Sequence, residues 1–98
     1  MSVTAIYSFE AAPGKAEDLL AILRQGRDFS MTVDGCEGFE VYQGSDDPQR
    51  FVMLERWASP EAHQAHFETN VRATGVLDAA EALMAGPFEV ADAYYELR

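Results

Sequence analysis

One tryptophan and two histidines are present in the chain, and all three (Trp57, His63 and His66) fall in the stretch Phe51 to Phe67, FVMLERWASPEAHQAHF. An imidazole exchanges protons near neutral pH, and an indole offers a broad apolar surface with a single N–H donor. The pair fits the edge of a small-molecule pocket, and it fits ordinary packing of a helix on a sheet.

His66 is the candidate proton acceptor. A neutral imidazole in an apolar cleft has its pKa lowered by desolvation and stays available as a base; the competing role is a hydrogen-bonded histidine that packs the helix. His63 lies one turn earlier and is expected at the helix edge, partly exposed. Metal binding by the two would need a further ligand, for which Glu61 and Glu55 are only nominal choices, so no metal site is expected. Trp57, at the end of a strand, is a candidate pocket wall whose Nε1–H reaches a polar partner. Tyr7 and Tyr42 carry phenols able to orient a substrate by hydrogen bonding. Asn70, one turn after His66, is placed to hold the imidazole, to touch a substrate, or simply to end the helix. Phe67 and Met53, with Phe51, Leu77 and Met84, are candidates for apolar lining.

Those residues need elements to position them. Val3 to Phe9 is a β-branched and aromatic run suited to a strand. Pro13 is expected to open a helix, with Glu17 and Asp18 in its first turn. Leu19, Ile22, Leu23, Gly26 and Ser30 keep helical spacing, with Gly26 expected to allow close packing on a sheet. Residues 36–43 alternate as a second strand, Ser45-Asp46-Asp47-Pro48 is a turn, and Phe51 to Trp57 is a third strand forming a hairpin with the second. Ser59, Pro60 and Glu61 are an N-cap, a first helical position and an acidic first turn. Helical spacing runs from Pro60 to about Asn70, breaks near Thr74-Gly75 and resumes through Val76, Leu77, Ala80, Leu83 and Met84 until Gly86-Pro87. Phe88 to Leu97 is a final strand.

The order is β-α-β-β-α-β with a divided second helix, an α+β, ferredoxin-like arrangement: a four-stranded antiparallel sheet with the helices on one face. The whole chain, residues 1–98, is expected to be one domain. On strand three Phe51, Met53 and Trp57 point one way and Val52 and Leu54 the other; on strand one Val3, Ala5, Tyr7 and Phe9 alternate with Thr4, Ile6 and Ser8; on the last strand Phe88, Val90 and Tyr94 alternate with Ala91, Ala93, Tyr95 and Leu97. The second face of the sheet stays substantially apolar, so a second copy packed sheet to sheet is expected to cover it, giving a homodimer.

Set in that order, several segments resemble the antibiotic biosynthesis monooxygenase (ABM) family of dimeric α+β barrel proteins. They are Pro13-Gly14-Lys15, Glu37-Gly38-Phe39-Glu40-Val41-Tyr42-Gln43, Leu54-Glu55-Arg56-Trp57, Ser59-Pro60-Glu61-Ala62 and Ala65-His66-Phe67. The latter part gives the pattern E-x-W-x-S-x-E-A-x-x-x-H. The resemblance implies a cofactor-independent oxygenase acting on hydroquinone-, anthrone- or polyphenol-like aromatics. There the deprotonated substrate itself reduces dioxygen inside a dry pocket. The rival reading is a non-catalytic dimeric module that binds a small molecule or serves in stress. A haem-degrading branch of the family places an asparagine where this chain has Tyr7 and a histidine later than His66, which argues against haem.

Composition narrows the partners. A formal net charge of −10 with no Lys/Arg cluster argues against nucleic acid and anionic membranes. The lone Cys36 cannot close an internal disulfide. The opening MSVTAIYSF has neither a basic region nor a sustained apolar run, so no signal peptide is expected and the protein is placed in the cytoplasm.

Overall fold

A computed structural model of the chain describes residues 2–86 and the backbone of residues 93–95. Strand β1 (Val3–Glu10) leads to helix α1 (Ala16–Ser30), followed by the hairpin of β2 (Cys36–Gln43) and β3 (Arg50–Trp57). Helix α2 (Pro60–His66), a π-helical segment (Phe67–Arg72) and helix α3 (Val76–Glu81) come next, and β4 (Ala93–Tyr95) is the last element. The sheet order is β2-β3-β1-β4, antiparallel throughout, which is the ferredoxin-like α+β arrangement. Of the expected final strand Phe88 to Leu97, residues 93–95 pair with β1, and the remainder lies outside the described residues.

Local chemistry explains most boundaries. Ser59 caps α2, its Oγ accepting from the Ala62 amide at 3.1 Å with Pro60 in the first turn, as its sequence position predicts. Pro13, by contrast, does not open α1: Gly14 adopts φ +77° in the preceding turn, and the helix begins at Ala16. The second helical stretch is not one α-helix as far as Asn70. It widens after His66, and the Ala73 amide reaches back five residues to the Glu68 carbonyl at 3.2 Å. Apolar spacing of three to four residues is satisfied by either winding, so periodicity does not separate them. Gly75, with φ +81°, makes the expected break, and α3 ends at Glu81, before Leu83 and Met84.

The core lies between the sheet and the helices. Ala5, Tyr7, Phe51 and Met53 face Leu19 and Leu23 of α1 and Ala80 of α3, with Ala11 and Met84 closing one end. Each large side chain buried there contributes roughly 1.5–3 kcal/mol. At the other end, Gly35 (φ +91°) turns the chain from α1 into β2; a Cβ there would stand 3.0 Å from the Ala62 Cβ. Glycine at that position therefore serves both the turn and the seating of α2. The opposite sheet face carries Ile6, Leu54, Val52 and Tyr42 in adjacent register, mixed with Ser8, Glu40 and Arg56.

Candidate functional site

Between sheet and helices lies a cavity of about 80 Å3. Phe9, Phe39 and Met53 wall it from the sheet, Leu23 and Gly26 from α1, and Phe67, Val71, Val76 and Leu77 from the second helical layer. Gly26 acts here in a way its sequence position did not suggest. A Cβ built on it would meet nothing within 4 Å, so the glycine leaves room instead of drawing the helix onto the sheet. The polar side chains in the lining are those of Tyr7, Glu55 and His66.

Glu55, which the sequence offers only as a nominal metal ligand, is the carboxylate of the lining. It is only 6% exposed and is flanked across the ladder by Ala5 and Phe39. Its Oε1 accepts a hydrogen bond of 3.1 Å from Trp57 Nε1. Burial against apolar neighbours pushes the carboxyl pKa up to about 7, although the indole N–H favours the charged form and pulls the other way. The same burial, with the Glu55 charge as a lesser cause, holds the Tyr7 phenol far above its ordinary range. A carboxyl poised near neutrality in an apolar cavity has the properties a general base requires. The signal was present in the alternation of β3: Phe51, Met53 and Trp57 face inward, and residue 55 shares their parity.

His66 reaches the cavity wall but is tied on both sides. It is 5% exposed, with Nε2 3.2 Å from Ser30 Oγ and Nδ1 3.1 Å from Asn70 Nδ2. The amide nitrogen of Asn70 makes Nδ1 the acceptor and leaves the ring hydrogen on Nε2 to donate to Ser30. Burial, then the neighbouring His63, lowers its pKa, so the ring is neutral. Ser30, His66 and Asn70 have the connectivity of a nucleophile triad, but Ser30 is buried outside the cavity lining. The chain of bonds clamps α1 to α2 and the π-helical segment.

The other sequence candidates divide by position. Phe67, Met53, Leu77 and Met84 line the cavity, whereas Phe51 belongs to the core. Trp57 is fully buried behind His66, its ring 4.6 Å from the imidazole, and meets the cavity through its bond to Glu55 and not as a wall. Asn70 holds His66 and is not part of the lining. Tyr42 does not join them: it lies on the opposite sheet face, half exposed, donating to Glu40. His63 is partly exposed, as expected at the helix edge, with Nε2 2.8 Å from the Tyr7 hydroxyl. Among the described residues no group of three or more His, Cys, Asp or Glu side chains could hold a metal ion, and no helix is long and apolar enough to cross a membrane.

A family model described as antibiotic biosynthesis monooxygenase matches residues 2–81. Among solved structures, an antibiotic biosynthesis monooxygenase of Nitrosomonas europaea, so named in its description, superposes with a TM-score of 0.88 at 27% identity, covering 98% of this chain and 90% of that one. A Pseudomonas aeruginosa protein gives a TM-score of 0.82 at 30% identity over 99% of this chain and 95% of its own. A Mycobacterium tuberculosis protein at 22% identity (TM-score 0.86, covering 100% and 97%) shares the fold. No curated protein sequence matches the chain.

Proposed function

The chain belongs to the antibiotic biosynthesis monooxygenase family, and from that premise we propose that it oxygenates a small quinol-, anthrone- or polyphenol-like molecule without a cofactor, with Glu55 as the proton acceptor. The observation that carries the reading is the buried Glu55 carboxyl on the wall of a mostly apolar cavity, held by Trp57. In its ionised form it takes a proton from the substrate. The electron-rich anion then reduces dioxygen; one oxygen atom is retained on carbon, and the other leaves as water with the two hydrogens the substrate loses. Desolvation strengthens the base and keeps water from the reactive anion.

We assign the base to Glu55 in place of His66 because the imidazole has both nitrogens engaged. The same engagement leaves His66 no nitrogen for a haem iron. The cavity, at about 80 Å3, is near half the volume of an engineered apolar cavity of about 150 Å3 that accepts benzene. A ring therefore enters only as the wall carried by Phe67, Val71 and Leu77 moves outward. In this reading the protein works in the cytoplasm as a homodimer, the second copy covering Ile6, Val52 and Leu54 to complete a dimeric α+β barrel.

Oxygen consumption with a panel of hydroquinones and anthrones, chelator present, tests the proposal. Wild type should exceed autoxidation, and Glu55→Gln should lose roughly a hundredfold or more of that rate, the usual contribution of a positioned base. No uptake above autoxidation anywhere in the panel overturns the oxygenase reading, and uptake unchanged in Glu55→Gln overturns the base assignment.

A further inference from the structure

A base that prepares a carbon acid for oxygen also prepares it for simple return of the proton. Which outcome follows depends on what surrounds the anion. Here the carboxyl is flanked by Ala5 and Phe39, and its one hydrogen-bond partner among the described residues is the Trp57 indole. Beside it in the lining only Tyr7 and His66 are polar, and both His66 nitrogens are occupied. The Tyr7 hydroxyl is engaged 2.8 Å from His63 Nε2. Among the described residues the cavity thus offers a proton acceptor with no dedicated donor set for a localised oxyanion. Any anion formed in it has to spread its charge through its own conjugation, and at about 80 Å3 the cavity admits such a molecule as it admits a ring, by outward movement of the wall carried by Phe67, Val71 and Leu77.

We propose that the cavity catalyses proton transfer at carbon without dioxygen, Glu55 interconverting the keto and enol forms of small 1,3-dicarbonyl-type compounds. The C–H bond between the two carbonyl groups breaks, its proton passes to a Glu55 carboxylate oxygen, and its electron pair enters the conjugated enolate. The protonated carboxyl then gives a proton to the enolate oxygen or back to carbon. No net oxidation occurs and no co-reactant is consumed. An exposed glutamate is almost wholly ionised at neutral pH and returns protons poorly; Glu55, with its pKa raised to about 7 by burial, has both forms at hand. The inference rests on the same Glu55 assignment as the oxygenase reading, but it needs no reaction with oxygen.

Hydrogen–deuterium exchange at the central carbon of ethyl acetoacetate, in deuterated buffer under nitrogen, reads the activity directly by loss of the methylene proton signal. With the full 98-residue chain, exchange should run at least tenfold above buffer. It should fall to the buffer rate in Glu55→Gln, which keeps size and the bond from Trp57, and persist in part in Glu55→Asp. The excess rate should rise with pH through about 7 as the carboxylate forms. Among the described residues the titratable groups around Glu55 are Tyr7 on β1, Cys36 on β2 and His66 on α2; burial raises the pKa of the phenol and of the thiol, and it lowers that of the imidazole. Circular dichroism of each variant establishes that it is folded. No excess exchange by folded wild type, or excess retained in full by folded Glu55→Gln, overturns the proposal. Exchange without oxygen uptake upholds it and removes the oxygenase reading; uptake without exchange removes this proposal alone; absence of both removes the two together.

Discussion

Replacing Glu55 with glutamine should make the protein more stable, and the gain should grow with pH. The carboxyl is 6% exposed, and burial raises its pKa to about 7 in the folded chain, against about 4.3 for an unfolded glutamate. The folded state therefore binds this proton more tightly than the unfolded state. The stabilisation from that preference is fully present below about pH 4.3 and is lost as pH rises through about 7, where the buried group must ionise. One pKa unit corresponds to about 1.4 kcal/mol, so the whole loss is about 4 kcal/mol, of which about 2 to 3 kcal/mol falls between pH 5 and 8. Glutamine keeps an oxygen to accept from Trp57 Nε1 and has nothing to ionise. Urea denaturation of both proteins at pH 5, 6, 7 and 8 isolates the effect, because every surface carboxylate is common to the two and cancels in the difference. The variant's advantage should widen by about 2 to 3 kcal/mol across the series, seen as a urea-midpoint gap growing by about 1–2 M. A gap that stays constant from pH 5 to 8 would show that Glu55 ionises as an ordinary carboxylate, and the desolvated-base assignment would fall with it.

Further perturbations probe the surrounding parts. Ser30→Ala leaves the buried His66 Nε2–H without its acceptor and should cost about 1–3 kcal/mol in urea denaturation; a neutral result would mean the clamp between α1 and α2 is not formed. Gly26→Leu sends a side chain toward open space beside the cavity; it should raise KM for any cavity substrate at least tenfold while stability holds or improves, glycine in a helix interior costing about 0.5–1 kcal/mol against alanine. Gly35→Ala puts a Cβ at φ +91° and 3.0 Å from the Ala62 Cβ, so a loss of about 1–2 kcal/mol or more is expected, read as a lower thermal midpoint. Leu54→Arg places a charge on the outer sheet face beside Ile6. Sedimentation velocity should find wild type as a dimer and the variant as a monomer, and a monomeric wild type refutes the proposed assembly.

Much of the fold was legible because strand and helix periods leave different marks. The alternation of Val3 to Phe9 and of Phe51 to Trp57 gave the buried face of the sheet, and Ser59-Pro60 gave the start of α2 within the right residue. The π-helical widening after His66 was not legible, because residues four apart, such as Phe67 and Val71, share a face in either winding. The candidate site was legible only in part for a related reason. The rare histidines and tryptophan mark its neighbourhood, whereas glutamate is common and is usually solvated. Its position on β3, with the inward parity of Met53 and Trp57, was the decisive fact, and residue type concealed it. Gly26 shows the opposite limit: whether a small residue admits a neighbouring element or leaves a void depends on the three-dimensional surroundings alone.

The pattern E-x-W-x-S-x-E-A-x-x-x-H can now be taken apart by mechanism. Glu55 and Trp57 are two apart because a strand repeats every two residues, which puts the carboxyl and the indole N–H on one buried face within 3.1 Å. Ser59 is two further on because the strand must end and a cap must follow; its hydroxyl takes the Ala62 amide. His66 comes at the end of the short helix that this cap starts, where its ring lies over Trp57 at 4.6 Å and its nitrogens bond Ser30 and Asn70. The positions therefore do different work: one holds the buried carboxyl, one donates to it, one begins the covering helix, and one locks that helix to α1. Moving the carboxyl by a single residue, in the double variant Glu55→Arg with Arg56→Glu, keeps composition and net charge but turns the acid to the outer face. The pH-dependent stability difference and any cavity chemistry should both disappear in that variant, and their survival would mean that charge near the cavity, and not a carboxyl facing into it, is what the site requires.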